Sequence, residues 1–554
     1  MLSNKEVGSV FKTLAGLMEL HGENDFKTRT YSNAAFQVGR VPKPVLSMEL
    51  KDLETTQGIG KSVAAKIVEL RETGTMQALE DLITITPPGL LEVLRIKGLG
   101  GKKVRVIWDE LGVEDVGSLL YACYENRLSK LKGFGEKTQQ SVIQAIEYYQ
   151  SNAGKFHYAT LADHAIIVEE QISAICAPQH ISIAGDLRRQ SDILESMDYV
   201  LACSATAFSQ LLNGTYFEEV NIAEDVCTAK TPEGIRVRIF RCDDAQFYFT
   251  LFTHTGPAAH VDHIIQKAGE ANYVSEEAIY LQAGMKYREP FLRDLDINFE
   301  PDLPNILQME DIRGVVHNHS TWSDGKNTLE EMVVASKEMG YDYFVISDHS
   351  KTAVYAGGLS VEQIYAQQEE IAKLRNKYPD FTIFSSIECD ILNDGSMDYP
   401  DDVLKTFDFV IASVHQNLKM DAEKANARLL RAIENPYTTI LGHMTGRLLL
   451  SRPGYPVDHK RIIDACAAQR VVIELNANPY RLDMDHSWIP YAMEKGVMIS
   501  IDPDAHSTEG IADIRWGVIS ARKGALTKQM TWNAMDAAGI RLWLQERRKA
   551  KGIL

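Results

Sequence analysis

No apolar run in this chain approaches the roughly 18–20 residues that a bilayer-spanning helix needs. The seven cysteines are scattered, with no CxxC pair. That argues against a zinc ribbon or a disulfide framework and fits a reducing compartment. The opening stretch, MLSNKEVGSVFKTLAGLMEL, lacks a basic leader, an apolar core and a small-residue cleavage site. The expectation is therefore a cytoplasmic protein with no membrane association. Positive charge is also short: 58 Lys and Arg stand against 76 Asp and Glu, a net charge of −18. A protein that simply coats nucleic acid is disfavoured by that balance. Local phosphate contacts from backbone amides remain open, as do acids committed to cations. No G-x-S-x-G elbow and no P-loop occurs, so neither motif offers another chemistry. Histidine is scarce, 15 in 554 residues, which makes any clustering of it informative.

At 554 residues the chain exceeds a single core, and about three or four domains are expected. Residues 1–150 read as short helices broken by glycine turns. From QHISIAGDLRR onward the pattern becomes α+β: SIAG, DYVLAC, GIRVRIF and FYFTLFT read as strands between helices, over 151–285. A polar, proline-containing stretch at 286–310 reads as a linker. Over 311–554, seven apolar runs (GVVHNH, YFVIS, FTIFSSIE, FVIASVH, TTILGHM, RVVIELN and VMISID) alternate with helices. That alternation predicts a parallel α/β barrel.

In the helical region GIG at Gly58–Gly60, GLG at Gly98–Gly100 and GFG at Gly133–Gly135 each sit between helical segments. A Gly-apolar-Gly turn lets backbone approach a ligand and opens a helix whose N-terminal amides face an anion. Lys61, Lys102, Lys103 and Lys137 follow at once. Repetition of this setting reads as helix-hairpin-helix motifs that hold DNA or RNA by its backbone, without reading sequence. A purely structural role for one of them stays open.

HNHSTWSDG, at His317 to Gly325, places two histidines at i and i+2 on a strand end, so both rings face one side, with Asp324 on the loop after it. Similar residues end the later strands: His349, Glu388, His415, His443, Asp504 and His506. In a parallel barrel the C-terminal strand ends converge on one face. Ligands spread over the sequence then meet in one cup. Mixed imidazole and carboxylate ligation suits Zn²⁺, Mn²⁺ or Fe²⁺ better than Mg²⁺ or Ca²⁺. Glu388, the acid in mid-barrel, is the candidate bridge between ions. Arg447 and Arg481 follow strand ends and are candidates to hold a substrate phosphate.

FKTRTYSNAAFQVGRV, the glycine hairpins, GDLRR and THTGP together resemble the bacterial family X DNA polymerases that carry a C-terminal PHP (polymerase and histidinol phosphatase) domain. The resemblance covers nearly the whole chain. It implies a helix-hairpin-helix region, a central nucleotidyltransferase-like palm and a distorted (β/α)7 PHP barrel. His317, His319, Asp324, His349, Glu388, His415, His443, Asp504 and His506 match the PHP signature residue by residue, which implies a three-metal centre. The palm departs from the family. Its Gly-Ser turn reads Gly185-Asp186, ahead of Arg188 and Arg189. Ser196 stands at the first metal-binding acid, Asp198 at the second and Arg238 at the third, and Thr255-Gly256-Pro257 replaces the usual Thr-Gly-Ser. One carboxylate facing an arginine makes an ion pair and not a two-metal site. Glu195, adjacent to Ser196, points to the opposite face of its strand.

The resulting expectation is a DNA-repair phosphoesterase of 3′–5′ exonuclease type, acting on gapped, nicked or 3′-end DNA, with templated synthesis lost. A monomer is favoured. An active gap-filling polymerase with a PHP nuclease domain is one alternative. A non-catalytic DNA-binding scaffold is the other.

Overall fold

A computed structural model describes residues 2–124, 127–152 and 154–553. The chain divides into two compact units, Met1–Ala153 and Gly154–Leu554.

Among its described residues the first unit contains helices and no strand. Its opening helix, Asn4–His21, starts on a capping box in which the Ser3 hydroxyl and the Glu6 carboxylate exchange bonds with each other's backbone. Phe11, Leu14, Leu17 and Met18 recur at helical spacing and bury one face of it. Three further helices, Lys61–Thr73, Gly101–Leu111 and Glu136–Asn152, begin immediately after the three Gly-apolar-Gly turns.

The second unit opens with a mixed five-stranded sheet. Met197–Ala202 lies between His180–Ala184, antiparallel to it, and Arg236–Cys242, parallel to it; Val226–Lys230 and Glu218–Ala223 complete the sheet. FYFTLFT, expected as a strand, is part of a helix, Phe247–Thr255. Its buried residues Phe247, Leu251, Phe252 and Thr255 follow a helical repeat, so packing on one face overrides the β-propensity of its aromatics. The hairpin of Glu218–Ala223 and Val226–Lys230 escapes the sequence reading because its outer positions are polar and exposed.

Segment 286–310, expected as a linker, is packed. Leu292 and Leu307 are fully buried. Arg288 donates to the carbonyls of Leu295, Asp296, Ile297 and Phe299, and the Leu307 amide bonds to Leu526 O at 2.8 Å. Buried arginines satisfied by backbone make a polar sequence part of the fold.

All seven apolar runs of the C-terminal region form parallel strands. Gly314–Val315, Tyr343–Ile346 and Thr382–Ser385 make one sheet; Glu388–Asp390, Val410–Ser413, Thr438–Leu441, Val472–Asn476 and Ile499–Asp502 make the other. The third run is kinked at Ser386–Ile387 and contributes to both sheets. A parallel bridge from Asn318 to Ala505 joins the first run to the last, and one from His349 to Glu388 spans the kink. The barrel is thereby closed and distorted, and every strand end opens on one face.

Candidate metal centre

His317, His443 and Asp504 adopt positive φ of 62°, 21° and 52°. Non-glycine residues held in the left-handed region store strain that surrounding packing must sustain, a pattern concentrated at functional sites. Here the twist turns all three side chains into the barrel mouth. The structure brings all nine residues of the sequence cluster together. His319, Asp324, His349 and His506 form one group whose donor atoms lie within 4.8 Å of each other. So do His317, His443 and Asp504; His317, His319 and Glu388; and His349, Glu388 and His415.

Glu388 sits at the centre. Its Oε1 lies 3.2 Å from His317 Nε2, 3.0 Å from His415 Nε2 and 2.9 Å from His443 Nε2; its Oε2 lies 2.9 Å from His349 Nδ1 and 3.7 Å from His319 Nε2. Asp504 Oδ1 is 3.0 Å from His319 Nε2 and 3.6 Å from His317 Nε2. Asp324 Oδ1 is 3.4 Å from His506 Nε2 and 3.6 Å from His349 Nε2. His317 Nε2, His349 Nδ1 and Glu388 Oε2 are buried without a hydrogen bond. Such orphaned donors and acceptors are costly. Divalent cations coordinated among six imidazoles and three carboxylates would satisfy them, so the residues present fit the metals that the sequence implies.

The electrostatics agree with a cation site. Burial alone would raise the Glu388 carboxyl, but His415, His317 and His349 outweigh it and hold it well below the carboxylate range. Asp504 is held down in the same way by His317, His319 and His506, against its own burial. Burial disfavours charge on His415, yet Glu388 and Asp390 carry it up to about 10. The acids are thus ionised inside the cup and draw positive charge, from protons or from cations.

Acids that the sequence reading missed surround this cluster. Glu474 accepts from His317 Nδ1 at 2.5 Å, from the His443 amide at 3.1 Å and from Asn476 Nδ2 at 3.0 Å. Asp390 pairs with His415 Nδ1 at 2.5 Å. With Nδ1 donating outward, Nε2 of each ring keeps its lone pair for the cup. Asp348 accepts from the amides and hydroxyls of Ser320 and Ser323 and from Gln367 Nε2. It thereby fixes the loop that presents Asp324. The available signal was an acid inside or next to an apolar strand, as in VVIELN.

At the rim, Arg481 is half-buried. Burial and the Arg481 charge together hold His443 below its ordinary value. Arg447, expected beside Arg481 as a phosphate ligand, is committed elsewhere. Its Nε donates to Arg481 O at 3.0 Å, its Nη1 to Asp485 at 2.6 Å, and its Nη2 to Leu482 O and Asp192. These partners use its donor fork, which makes it a structural brace. Tyr355 is exposed, and its ring centroid lies 6.2 Å from that of His349.

The glycine turns share one geometry. Gly58, Gly98 and Gly133 have φ of 82°, 91° and 90°, and the carbonyls of Gly60, Gly100 and Gly135 each accept the amides of the third and fourth residues of the following helix. The middle turn differs in its surroundings. A Cβ on Gly101 would meet Gly16 O at 2.4 Å, Lys102 pairs with Asp25 at 2.9 Å, and Lys103 bonds back to Gly98 O at 3.1 Å. In this hairpin, expected to hold DNA through Gly98, Gly100 and Lys102, those three residues are exposed, but Gly101 packs on the first helix and acids stand beside the turn. Lys61 and Lys137 are exposed beside the outer two turns.

In the palm, Asp198 and Arg238 are paired across parallel strands. Arg238 Nε and Nη2 reach the two Asp198 oxygens at 2.8 and 2.5 Å, and Ser196 Oγ donates to Oδ1 at 2.8 Å. Arg188 forks onto the buried Glu276 at 3.0 and 2.6 Å. Arg189 binds Asp186, Asp294 and Thr255 O. Glu195 turns away to Lys155, 3.6 Å distant.

Among the described residues no helix is long and apolar enough to cross a membrane. Residues 3–76 match the helix-hairpin-helix domain family, 90–147 the SAM-like helix-hairpin-helix tandem and 316–478 the PHP domain. Along its length the chain is 32% identical over 574 aligned positions to the DNA polymerase/3′-5′ exonuclease PolX of Bacillus subtilis (strain 168), covering 98% of this chain and all of that protein. It is 26% identical over 254 residues to a probable phosphatase of Thermoanaerobacter sp. (strain X514), covering 43% of this chain and 96% of the relative. A probable phosphatase of Vibrio campbellii is 25% identical over 210 residues, covering 36% of this chain and 79% of the relative.

Proposed function

Because the chain belongs to the family of the bacterial DNA polymerase/3′-5′ exonuclease PolX, we propose that it is a metal-dependent hydrolase of DNA phosphate esters, working from 3′ ends, with its polymerase centre out of use. The observation that carries this reading is the convergence of His317, His319, Asp324, His349, Glu388, His415, His443, Asp504 and His506 on one barrel mouth. The cluster is read as holding three ions of Zn, Mn or Fe. When bound, divalent cations acidify a water near neutral pH and neutralise charge on the phosphate and the leaving oxygen.

The chain's own residues do the rest. Glu388, within reach of five imidazoles, is placed to bridge ions. Glu474 and Asp390 keep His317 and His415 in the tautomer that coordinates. Arg481 offers a guanidinium to a phosphate oxygen, and the exposed Tyr355 ring offers a face to a nucleobase. No side-chain nucleophile is required. A gapped duplex labelled at the 3′ end of the primer tests the reaction. In Mn²⁺ the label leaves as mononucleotide or phosphate before the 5′ end shortens, and a chelator stops its release. Internal cuts that leave the 3′ label on long fragments would contradict the assigned polarity.

DNA affinity is assigned to the outer hairpins through Gly58, Gly60, Lys61, Gly133, Gly135 and Lys137. A Cβ on Gly60 or Gly135 would meet nothing within 4 Å, and neither has a left-handed φ. The fold does not need glycine there, whereas a phosphate backbone pressed against the amides does. Gly60→Ala with Gly135→Ala should leave the melting temperature unchanged and weaken binding to gapped duplex by about fivefold, roughly one lost hydrogen bond. Gly98→Ala should do the reverse: with φ of 91° it costs about 1 kcal/mol of stability and leaves affinity in place. Fluorescence anisotropy and thermal melting separate the two outcomes.

A further inference from the structure

The loop carrying Arg481 is held on both sides by residues of the palm. On one side, His157 bonds through Nε2 to Leu449 O at 3.1 Å, and the Leu449 amide in turn bonds to Tyr480 O at 2.8 Å. The His157 and Tyr480 rings meet edge to face, 4.8 Å apart. On the other side, Asp192 Oδ2 lies 3.4 Å from Arg447 Nη2 and 3.7 Å from His486 Nδ1, and Ser520 Oγ is 3.5 Å from Asp192 Oδ1. Arg447 in turn binds the carbonyls of Arg481 and Leu482. Tyr480 and Leu482 flank Arg481, so the palm is linked through Leu449 and Arg447 to the backbone on each side of the rim arginine.

These contacts are well shielded. The side chains of Arg447 and Asp192 are 17% and 12% exposed, so solvent screens their attraction only in part. A second contact ties the same turn region to the barrel. The Arg189 carbonyl and Asp294 both accept from Lys523 Nζ, at 2.8 and 2.9 Å, and Lys523 is buried on a barrel helix.

We propose that Asp192 is a positioning residue for the barrel's hydrolysis: it steadies Arg447, which fixes the backbone of Arg481 so that its guanidinium meets the substrate phosphate. This rests on the reading of the barrel as a DNA phosphoesterase. It gives the palm a role that its lost carboxylates do not: the former polymerase domain braces the rim of the hydrolase. Asp485 keeps Arg447 paired at 2.6 Å when Asp192 loses its charge, so the loop relaxes and does not unfold.

The test is a double-mutant cycle on the full-length, Mn²⁺-loaded protein with Asp192→Asn, Arg481→Ala and the pair. Two quantities are read: equilibrium affinity for a short phosphorothioate oligodeoxynucleotide that resists hydrolysis, and kcat/KM on its natural counterpart. Asp192→Asn should weaken affinity and kcat/KM by about fivefold, with the loss in KM and metal content unchanged. Arg481→Ala should cost about a hundredfold. The pair should be no worse than Arg481→Ala alone, because Asp192 acts through Arg481. Asp192→Glu should restore most of the affinity. Additive losses, or an Asp192→Asn protein with wild-type affinity, would overturn the proposal while leaving the hydrolase reading intact. A non-additive affinity cycle in a protein that cleaves no DNA would sustain the brace and overturn the hydrolase reading.

Discussion

Glu388→Gln should lower hydrolysis of a 3′-labelled gapped duplex by at least about a thousandfold, because it removes charge from the point where the cup's imidazoles converge. Glutamine keeps the shape of the side chain, so the barrel should fold. It cannot bridge two cations as an anion, and its amide offers one ligating oxygen where the carboxylate offers two. Five imidazole nitrogens lie between 2.9 and 3.7 Å of the Glu388 oxygens, so one neutral replacement disturbs several coordination spheres at once. The gain in melting temperature on adding Mn²⁺, which reports metal binding to the native state, should shrink in the same variant. Single-turnover hydrolysis and metal-dependent melting measure both. Activity within about tenfold of wild type would mean that Glu388 does not organise the centre.

Primer extension on a gapped duplex with deoxynucleoside triphosphates and Mn²⁺ should give no incorporation above background, at least about ten-thousandfold below an intact two-metal polymerase. Three features act together. Asp198, the one carboxylate at the motif positions, is bound at both oxygens by Arg238 and at one by Ser196, so a cation would have to displace a guanidinium. A Cβ on Gly185 would approach Asp198 Oδ2 to 2.3 Å, so the turn that should receive a triphosphate is closed down on that acid. Arg188 and Arg189, the cations that could meet the triphosphate, are held by Glu276, Asp294 and Asp186. Restoring one carboxylate leaves the other two obstacles, so Arg238→Asp alone should not revive synthesis. Templated incorporation by the wild-type chain would show that the palm rearranges on binding DNA and would reinstate the polymerase reading.

Much of this was legible in the sequence, for identifiable reasons. Successive parallel strands end on one side of a barrel, so residues just past the strand ends meet there; the HxH pair does so through the left-handed φ of His317, beyond the end of its strand, and not through strand alternation. The nine cup residues could therefore be placed before any coordinates. The Asp198–Arg238 pair followed from the register of neighbouring strands. What stayed hidden depends on tertiary partners. Glu474, Asp390 and Asp348 carry no motif; they matter because a histidine nitrogen or a serine hydroxyl from a distant segment arrives beside them. Arg447 resembles Arg481 in sequence position, and only the partners that the fold brings to it, Asp485, Asp192 and the carbonyls of Arg481 and Leu482, make it a brace. Phe247–Thr255 carries aromatics and threonines typical of strands, and burial on a helical repeat decides otherwise. Segment 286–310 has a linker's composition, yet backbone carbonyls satisfying Arg288 make it part of the fold.

The most direct measurement of the central claim is a titration of Mn²⁺ or Zn²⁺ into chelator-stripped protein, following bound metal per chain and release of label from the 3′ end together. The account predicts no hydrolysis without metal, activity rising as the cup fills, and saturation at about three ions per chain. Stripped protein that cleaves as fast as the loaded form, or protein that takes up no divalent ion, would contradict it.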